Sequence, residues 1–403
     1  MNSPTSIPAA ANGSQHSGWQ TKPLGELCEY DRSQAVHRGL PYVGMEHIES
    51  QTGRFIGSTE PTSVKSNTFR FSPRHVLYGR LRPYLNKVFA PDFEGHCSTE
   101  IFPLLPKPDL SREFLQYWLM SDAIVDRINA TCTGARMPRA NMDALLTFEM
   151  PAPSLLEQHR LVTLLDQAFD AIATAQVNTE KNLQNAHALF ESHLQSVFTK
   201  RGNGWVEKRL GEIAEFKNGL NFNQSSKGQS VQVVGVGDFQ NNYVVPLDDL
   251  KSVTIDGDLG EHYAIRENDI LTVRSNGSKD LVGRCMLVPS VTETISYSGF
   301  IIRIRFDPNV IAPRFLLHFM KCSATRERLT REGGGTNISN INQEKLSGLI
   351  VSLPPSRTQH AVVAQLEELS AETQRLTSLY QQKLTALAAL KKSLLHQAFS
   401  GQL

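Results

Sequence analysis

Two short stretches of the chain hold arginine, asparagine and lysine side chains in a pattern that suits the recognition of nucleic acid bases. The first, YGRLRPYLNK, contains Arg80, Arg82, Tyr84, Asn86 and Lys87. Arginine can donate two hydrogen bonds to guanine, asparagine can bind adenine, and lysine neutralises phosphate. Arg80 and Arg82 alternate on a predicted strand and would therefore share a face. The alternative is a solvated strand edge that is protected by its charge.

The second stretch, VRSNGSKDLVGR, has the same kinds of side chain around a loop that contains glycine. The same chemistry and the same alternative apply to it. Its candidate contacts are Arg274, Asn276, Ser278, Lys279 and Arg284.

A third pair of segments, TGARMPRAN and GGTNISNIN, exchanges one residue type for another. Arg136 and Arg139 in the first segment align with Asn337 and Asn340 in the second. Because arginine and asparagine prefer different bases, two readers of different base sequences would differ in this way. Drift of two unconstrained loops would look similar, so both interpretations stay open.

Charge is unevenly distributed along the chain. The net charge of the 403 residues is only +1, whereas polyanion binders tend to carry a surplus of lysine and arginine. Between Pro61 and Pro91, however, there is no aspartate or glutamate, and both Arg80 and Arg82 lie in this segment. The basic charge is concentrated locally.

These stretches belong to two halves that repeat each other. GWQTKPLGELCEY returns as GWVEKRLGEIAEF, REFLQYWLMSDA as PRFLLHFMKCSA, and SHLQSVFTK as SLLHQAFSG. The pair Gln158 and His159 likewise returns as Gln359 and His360, each time after prolines and before an apolar helix. These four residues either contact a partner protein or cap and pack the start of the helix.

Each half should fold as a mixed α and β domain followed by one long helix. Short β-branched and aromatic runs such as VQVVGVGDF, DILTVR, CMLVP and SGFIIRIRF predict strands, whereas SREFLQYWLMSDAIVDRINA and PRFLLHFMKCSATRERLTRE predict helices packed on the sheet. The expected domains are a flexible tail at 1–17, a first domain at 18–153, a helix at 154–200, a second domain at 201–354 and a helix at 355–403.

The two long helices carry apolar or small residues at steps of mostly three and four. In the first helix these are Leu161, Leu165, Ala168, Ile172, Thr179, Leu183, Ala186, Phe190, Leu194 and Val197. In the second they are Val362, Leu366, Leu369, Thr373, Leu376, Tyr380, Leu384, Leu387, Leu394 and Ala398. Seams this narrow are most simply buried against each other. The predicted fold class is α+β: two tandem mixed domains separated by two long helices that form an antiparallel coiled coil, with a pseudo-two-fold internal repeat.

Other classes of protein are disfavoured. The five cysteines are scattered and lack a Cys-x-x-Cys spacing, which argues against disulfide frameworks and zinc ribbons. No run of about 18 apolar residues could span a bilayer, and the first residues lack the features of a secretion signal. We expect a cytoplasmic protein.

The segments GTNISNINQEKLSGLIVSLPPSRTQHAVVAQL, HVLYGRLRPYLNKV and CSTEIFPLLP resemble those of a known family, the specificity subunits of type I restriction-modification systems. Ile341, Asn342, Leu346, the proline pair and Gln359 fit its signature, and the resemblance covers nearly the whole chain. Two departures are Ala140 in place of isoleucine, and Arg357 with Thr358 in place of leucine and glutamate.

The resemblance implies that each domain reads one half of a bipartite, asymmetric DNA sequence. It also implies that the helices act as spacer and dock two modification subunits, and that restriction and translocase subunits join the complex. S-adenosylmethionine, ATP and magnesium would serve those partners, and this chain would bind no cofactor and no metal directly.

The residues themselves agree with a protein that is not an enzyme on its own. The sequence contains no Asn/Asp-Pro-Pro-aromatic site, no Gly-x-x-x-x-Gly-Lys-Ser/Thr loop and no His-Glu-x-x-His spacing. The glycines of VVGVGDF could suggest a phosphate loop, but the matching YVGMEHI has Glu46 in place of Gly237, which favours a strand and turn. Two alternatives remain: a coiled-coil scaffold without DNA specificity, and a nuclease with an unfamiliar site.

Overall fold

The computed structural model describes residues 18–30, 32–132, 136–199, 202–222, 226–240, 242–330 and 340–403. The chain divides into two compact units. Unit 1 comprises Met1–Glu180 together with Gln381–Leu403, and unit 2 comprises Lys181–Tyr380. Each unit thus contains one mixed domain, part of one long helix and part of the other.

Unit 1 begins with short strands and ends with helices. Its elements are β1 (Thr21–Pro23), α1 (Leu24–Leu27), β2 (Cys28–Tyr30), β3 (Tyr42–Val43), β4 (Phe69–Phe71), β5 (Val76–Gly79), β6 (Val88–Phe89), β7 (Gly95–Cys97), β8 (Ile101–Pro106), α2 (Arg112–Met120), α3 (Asp122–Ala130), α4 (Met142–Leu146), β9 (Glu149–Pro151) and the first part of α5 (Leu155–Thr199).

Unit 2 repeats this order, with a 3₁₀-helix at Leu210–Glu212 in place of α1. Its elements are β10 (Val206–Arg209), β11 (Ala214–Asn218), β12 (Ser230–Val234), β13 (Lys251–Thr254), β14 (Ile270–Val273), β15 (Cys285–Leu287), β16 (Ile295–Tyr297), β17 (Ile301–Phe306), α6 (Pro313–Lys321), α7 (Ser323–Thr330), α8 (Gln343–Ser347), β18 (Ile350–Leu353) and the first part of α9 (Ser356–Ser400).

Each unit contains a four-stranded antiparallel sheet, in the order β2-β8-β5-β6 or β11-β17-β14-β15. The central strands are buried and rich in β-branched and aromatic residues, as strands covered on both faces should be. A two-stranded ladder, β1 with β9 or β10 with β18, joins the start of each domain to its end. The three-stranded sheets differ, since β7 is central in unit 1 and β12 is central in unit 2.

Each of the two helices predicted to pack on the sheets is in fact a pair of helices. The first is interrupted at Ser121, where the backbone becomes extended with ψ 139°. The second is interrupted in the same way at Cys322, with ψ 130°. Ser121 Oγ donates to the carbonyl of Trp118 at 2.7 Å, which satisfies a carbonyl at the end of α2. The prediction of helices at these places is confirmed, but not their continuity.

The two long helices pack together, and the described side chains show that they run antiparallel. In unit 1 the start of α5 meets the end of α9, where Arg160 Nη2 donates to the carbonyl of Leu403 at 2.8 Å. In unit 2 the end of α5 meets the start of α9, where Thr377 Oγ1 lies 3.3 Å from Nε2 of His187. The predicted antiparallel coiled coil of the fold class is confirmed.

The apolar seam predicted for the two long helices corresponds to their buried face. All of its positions are buried or half-buried, including the polar Thr179 and Thr373. Each threonine donates its hydroxyl to the carbonyl four residues earlier, at 2.6 Å to Ala175 and 2.8 Å to Leu369. Local hydrogen bonds therefore let both polar side chains lie within an apolar interface.

None of the helices in the described ranges combines the length and the apolar character needed to cross a membrane.

Candidate nucleic-acid interface

The candidate residues of YGRLRPYLNK lie beyond the end of β5, not on it. The strand ends at Gly79, and Arg82 adopts a left-handed conformation with φ 51°. Its N–H donates to the carbonyl of Pro138 at 2.7 Å, which holds the chain in this turn. The prediction that Arg80 and Arg82 share a face of the strand is therefore wrong, because the strand ends before Arg80 and the chain turns at Arg82.

Three charged side chains meet at the end of β5. Arg80 Nε donates to Oε2 of Glu100 at 2.9 Å, and Arg139 donates to Oε1 of Glu100 from Nε at 3.0 Å and from Nη2 at 2.8 Å. The Arg80 N–H donates to the carbonyl of Glu100, and the Arg80 carbonyl accepts from Ala140 N–H, both at 2.9 Å. The structure thus brings Arg80 and Arg139, from two separate predicted segments, to one carboxylate.

Electrostatics holds this cluster in its charged form. Partial burial raises the pKa of the Glu100 carboxyl, but the hydrogen bonds and positive charges of Arg139 and Arg80 outweigh it, and the net pKa lies below the ordinary glutamate value. The Arg80 guanidinium also lies 5.1 Å from the ring centroid of Phe102. The cluster carries two positive charges and one negative charge, so it keeps a net positive charge toward a polyanion.

The other residues of this stretch divide into outward and inward side chains. Arg82 and Tyr84 are exposed. Asn86 is buried with φ 47°, and its Nδ2 donates to the carbonyl of Met120 at 2.8 Å. Lys87 is half-buried, with Nζ donating to the carbonyl of Met45 at 2.6 Å. The geometry gives Asn86 and Lys87 a structural role in shaping the loop, with their donor groups turned toward the protein.

Unit 2 repeats the backbone frame of this site. The Arg274 N–H donates to the carbonyl of Phe300 at 2.9 Å, and the Arg274 carbonyl accepts from Ile341 N–H at 2.8 Å. Ser275 forms an isolated antiparallel bridge with Asn340, as Leu81 does with Arg139 in unit 1. These matched contacts equate Arg80 with Arg274, Glu100 with Phe300 and Arg139 with Asn340.

The side chains on the frame of unit 2 are different. Phe300 is 61% exposed, and Asn340 is exposed. Within the described residues, the half-buried Arg274 side chain makes no hydrogen bond or ion pair, which leaves its guanidinium available. Asn337 lies outside the described residues.

The remaining candidates surround these two frames. Arg136 is exposed beside Arg139, and Lys279 is exposed in the loop after β14. Asn276 Oδ1 accepts from Ser278 N–H at 2.8 Å, which shapes that loop. Arg284 is half-buried, with Nε donating to the carbonyl of Asp280 at 3.0 Å and Nη1 donating to the carbonyl of Gln240, so the geometry assigns it to loop structure.

Sequence reasoning missed Glu100 and Phe300. Both follow the same turn, in which the N–H of Glu100 or Phe300 donates to the hydroxyl of Ser98 or Ser298, at 3.2 and 3.3 Å. CSTEIF and YSGFII can be aligned from the sequence, and that alignment shows a carboxylate replaced by an aromatic ring. The signal was present, but the proximity of this turn to the arginine segments is a tertiary contact.

Gln158 and Gln359 lie inside the protein at the starts of α5 and α9. Gln158 Oε1 accepts from Ser111 N–H at 2.8 Å, and its Nε2 donates to the carbonyls of Asp109 and Pro153, both at 2.9 Å. Fully buried, Gln158 has its hydrogen bonds used within its own unit. The geometry supports the alternative in which it packs the helix start, and it does not offer the side chain to a partner.

Gln359 repeats this arrangement in unit 2. Its Oε1 accepts from Ala312 N–H at 2.7 Å, and its Nε2 donates to the carbonyls of Val310 and Pro354 at 3.3 and 3.0 Å. The neighbouring His159 and His360 are exposed. Of the four predicted partner contacts, only these two histidines present their side chains to solvent.

In the turns that begin at Gly235 and Gly44, the glycine N–H is bound by the side chain three residues later. Gly235 N–H donates to Oδ2 of Asp238 at 2.7 Å, and Gly44 N–H donates to Nδ1 of His47 at 3.1 Å. A carboxylate already occupies the place that a phosphate would take at Gly235. Over the described residues, no group of three or more histidine, cysteine, aspartate or glutamate side chains could hold a metal ion.

Comparisons with known proteins agree with the duplicated fold. The family model described as the type I restriction modification DNA specificity domain matches residues 16–185 and 202–386. The StySPI specificity subunit of Salmonella potsdam is 24% identical over 424 residues, covering 96% of this chain and 89% of the relative. The EcoDI specificity subunit of Escherichia coli is 30% identical over 165 residues, covering 40% of this chain and 36% of the relative.

Solved structures show the same fold. A chain from a type I restriction-modification system has a TM-score of 0.80 at 19% identity, covering 99% of this chain and 100% of that one. The HsdS subunit from Thermoanaerobacter tengcongensis has a TM-score of 0.65 at 19% identity, covering 98% and 99%.

The matched family is defined by DNA specificity, and nothing in these comparisons favours a scaffold without it. In type I systems, separate methyltransferase and restriction subunits provide the catalysis. Two copies of the family domain, a duplicated fold and a duplicated loop frame lead to one conclusion. The chain belongs to the type I restriction-modification DNA specificity family, as a non-catalytic specificity component.

Proposed function

We propose that each unit of this protein reads one half of a bipartite, asymmetric DNA sequence. The observation that carries the proposal is the repeated loop frame. Arg80 and Arg274 share their backbone hydrogen bonds, whereas the side chains around them differ in kind. A fixed frame with exchangeable side chains suits two readers of different base sequences, because hydrogen bonds and apolar contacts to base edges carry the sequence information.

The accessible candidates would make the contacts with DNA. In unit 1 these are Arg80, Arg82, Tyr84, Arg136 and Arg139. In unit 2 they are Arg274, Asn276, Ser278, Lys279 and Asn340. Asn337 remains a candidate from the sequence. Asn86, Lys87 and Arg284 would support these loops from within.

The long helices would hold two modification subunits, in a complex that restriction and translocase subunits also join. The exposed His159 and His360 are candidates for that contact. The domain limits of this proposal are 18–153 and 201–354, with spacer helices at 154–200 and 355–403 and a tail at 1–17. S-adenosylmethionine, ATP and magnesium would act in the partner subunits, within the cytoplasm.

Selection of duplexes from a random pool, with the full chain bound to its modification subunits, tests this proposal. We expect two short sequences separated by a spacer of constant length. Inserting one base pair into the spacer should abolish specific binding, because it rotates one half-site relative to the other by about a tenth of a helical turn. Recovery of one uninterrupted motif, or indifference to the spacer length, would contradict the proposal.

A salt titration separates DNA reading from protein scaffolding. Each phosphate neutralised by lysine or arginine should contribute a slope of about −0.9 to the plot of log affinity against log salt concentration. A flat plot, at affinities that do not depend on DNA sequence, would argue against a role in DNA recognition.

A further inference from the structure

We infer that Glu100 is a positioning residue which turns Arg80 into a selective reader of guanine in the half-site of unit 1. The inference rests on the proposed function and deepens it. It assigns a base to the side chain of Arg80. It also assigns a role to the carboxylate of Glu100, whose negative charge would by itself repel DNA. Phe300, the counterpart of Glu100 in unit 2, offers no carboxylate, so Arg274 is not held in the same way.

The first argument comes from the donors that the cluster leaves free. Glu100 binds Arg80 through Nε alone, and within the described residues nothing accepts from the two terminal nitrogens, Nη1 and Nη2. Those nitrogens form an edge that can donate two parallel hydrogen bonds to O6 and N7 of guanine. Arg139 commits Nε and one N–H of Nη2 to Glu100, and it keeps the same outer edge of Nη1 and Nη2 free. Free donors alone do not separate the two arginines, and what distinguishes Arg80 is how firmly its side chain is held.

The second argument is the degree to which Arg80 is fixed in place. Its backbone bonds to Glu100 and Ala140, its Nε bonds to Glu100, and its guanidinium lies beside the ring of Phe102. Its side chain is nevertheless 32% exposed, so the free edge can be reached. A long side chain that is already ordered loses less entropy on binding, and therefore discriminates better between bases.

The third argument is the accompanying acid. A carboxylate near the DNA backbone repels phosphate, so Glu100 is unfavourable for binding that ignores sequence. Arg139 compensates part of that charge by binding the same carboxylate at 2.8 Å. Such an arrangement lowers general affinity and raises selectivity, which is the combination expected at a base-reading position.

Unit 2 lacks the carboxylate and should read a different base pair. Phe300 presents an apolar face where unit 1 has Glu100, and Asn340 stands where unit 1 has Arg139. Asparagine binds adenine at N6 and N7, and phenylalanine can contact the methyl group of thymine. We therefore expect a guanine·cytosine pair at the frame of unit 1 and an adenine·thymine pair at the frame of unit 2.

The test compares Glu100→Gln with Glu94→Gln in the full chain bound to its modification subunits. Glu94 pairs with Arg70 in the same unit, with 3.0 Å between Arg70 Nε and Glu94 Oε1, so both variants remove one paired surface charge. Binding is measured on a panel of duplexes that carry each base in turn at every position of the unit 1 half-site. A second variant, Arg80→Lys, keeps the charge and removes the two-pronged donor edge.

In the wild type, one position should favour guanine. Arg80→Lys should lower that preference by about 5- to 150-fold, the range of a two-pronged arginine contact. Glu100→Gln should lower it at the same position by at least about 5-fold, with an unchanged slope of affinity against salt. Glu94→Gln should leave the preference unchanged.

Three results would overturn the inference: a guanine preference that survives in Glu100→Gln, one that survives in Arg80→Lys, or an equal loss in Glu94→Gln. Each leaves the proposed function intact as long as the wild type selects a bipartite sequence. A wild type that shows no base preference in either half would instead overturn the proposed function, and the inference with it.

Discussion

The loop frames of unit 1 and unit 2 share a backbone and differ in chemistry. Around Arg80 the frame carries a carboxylate and a second arginine, whereas around Arg274 it carries an exposed phenylalanine and an asparagine. The matched backbone hydrogen bonds agree within 0.1 Å. Backbone bonds between neighbouring segments thus fix the shape of the frame, and the side chains are free to vary on it.

At the starts of the long helices, by contrast, the two units also share their chemistry. Gln158 and Gln359 are both buried, and each bonds to one N–H and two carbonyls of its own unit. In each unit the N–H and one of the two carbonyls belong to the segment that enters α2 or α6, so these contacts tie the helix start to that segment. The contacts that hold the helix starts are kept in both copies, and the side chains proposed to set base preference are not.

The largest effect is expected where the two units are alike. Gln158→Leu should destabilise unit 1 by about 3 to 5 kcal/mol, because Ser111 N–H and two carbonyls would remain buried without partners. Gln359→Leu should affect unit 2 by the same amount. Urea unfolding followed by tryptophan fluorescence measures both variants.

The adjacent exposed histidine provides the matched control for this pair. His159 lies next to Gln158 on the surface of α5. His159→Ala should change the free energy of unfolding by less than about 0.5 kcal/mol. A small effect of Gln158→Leu, similar to that of His159→Ala, would contradict the structural role of the glutamines.

The second prediction concerns folding stability at low pH, which should fall in unit 2 through a group that unit 1 lacks. Burial, with the positive charges of Lys321 and Arg314, lowers the pKa of His318 in unit 2 to about 4. Its unfolded state binds a proton near pH 6.5, so stability is lost as the pH falls from about 6.5 to about 4, by about 3 kcal/mol in total. The counterpart in unit 1, Tyr117, has a raised pKa and donates to Asp166, so it does not titrate in this range.

Thermal unfolding between pH 4 and pH 7 tests this difference. His318→Phe should remove most of the acid-dependent loss from unit 2, whereas Tyr117→Phe should leave the pH dependence unchanged. Equal acid sensitivity in wild type and His318→Phe would show that other groups govern the loss.

The third prediction compares the matched arginines of the two loop frames, Arg80 and Arg274. Arg80→Ala should weaken binding of the specific duplex by about 1 to 3 kcal/mol and relax selectivity only in the half-site of unit 1. Arg274→Ala should do the same only in the other half-site. Fluorescence anisotropy with duplexes altered in one half at a time measures both. An equal loss on random DNA would identify a phosphate contact instead.

Most of the fold could be predicted because its signals are periodic or repeated. The spacing of the seam residues from Leu161 to Val197 predicts a long helix and its buried face. The recurrence of Gln158 as Gln359 indicates a duplication. Local pattern did not reveal the interruptions at Ser121 and Cys322. Both residues stand within apolar stretches of helical spacing, and their extended backbone depends on how two helices fit the sheet.

The site could be predicted only in part, for a related reason. Residue type and local charge pointed to Arg80 and Arg139, but the contact that joins them passes through Glu100, which is distant from both in sequence. The left-handed conformation of Arg82 likewise depends on a hydrogen bond to Pro138. Side-chain chemistry is legible in a sequence, whereas the partners that orient it are set by tertiary contacts.

The smallest expected effect concerns a glycine that both units share, Gly25 in α1 and Gly211 after β10. A methyl group on Gly25 would lie 3.3 Å from the carbonyl oxygen of Leu146, which a slight shift can relieve. On Gly211 it would overlap Oγ of Ser347 and would lie 3.0 Å from Cβ and 3.3 Å from Cα of that residue, so the serine side chain must rotate and its backbone must shift slightly. Gly211→Ala should therefore cost about 1 to 2 kcal/mol, and Gly25→Ala less than about 0.5 kcal/mol.

Urea unfolding of the two variants measures this difference, and Ser347→Gly in the Gly211→Ala background provides the control. Removing the serine side chain should recover part of the loss if the close approach is its cause, because the added methyl group then takes the space of the serine Cβ. The remaining cost would report the contact with the Ser347 backbone. Equal losses at Gly25 and Gly211 would mean that the two units pack alike here, where α1 meets α4 and where the chain after β10 meets α8, and that the serine does not make the approach in unit 2 closer.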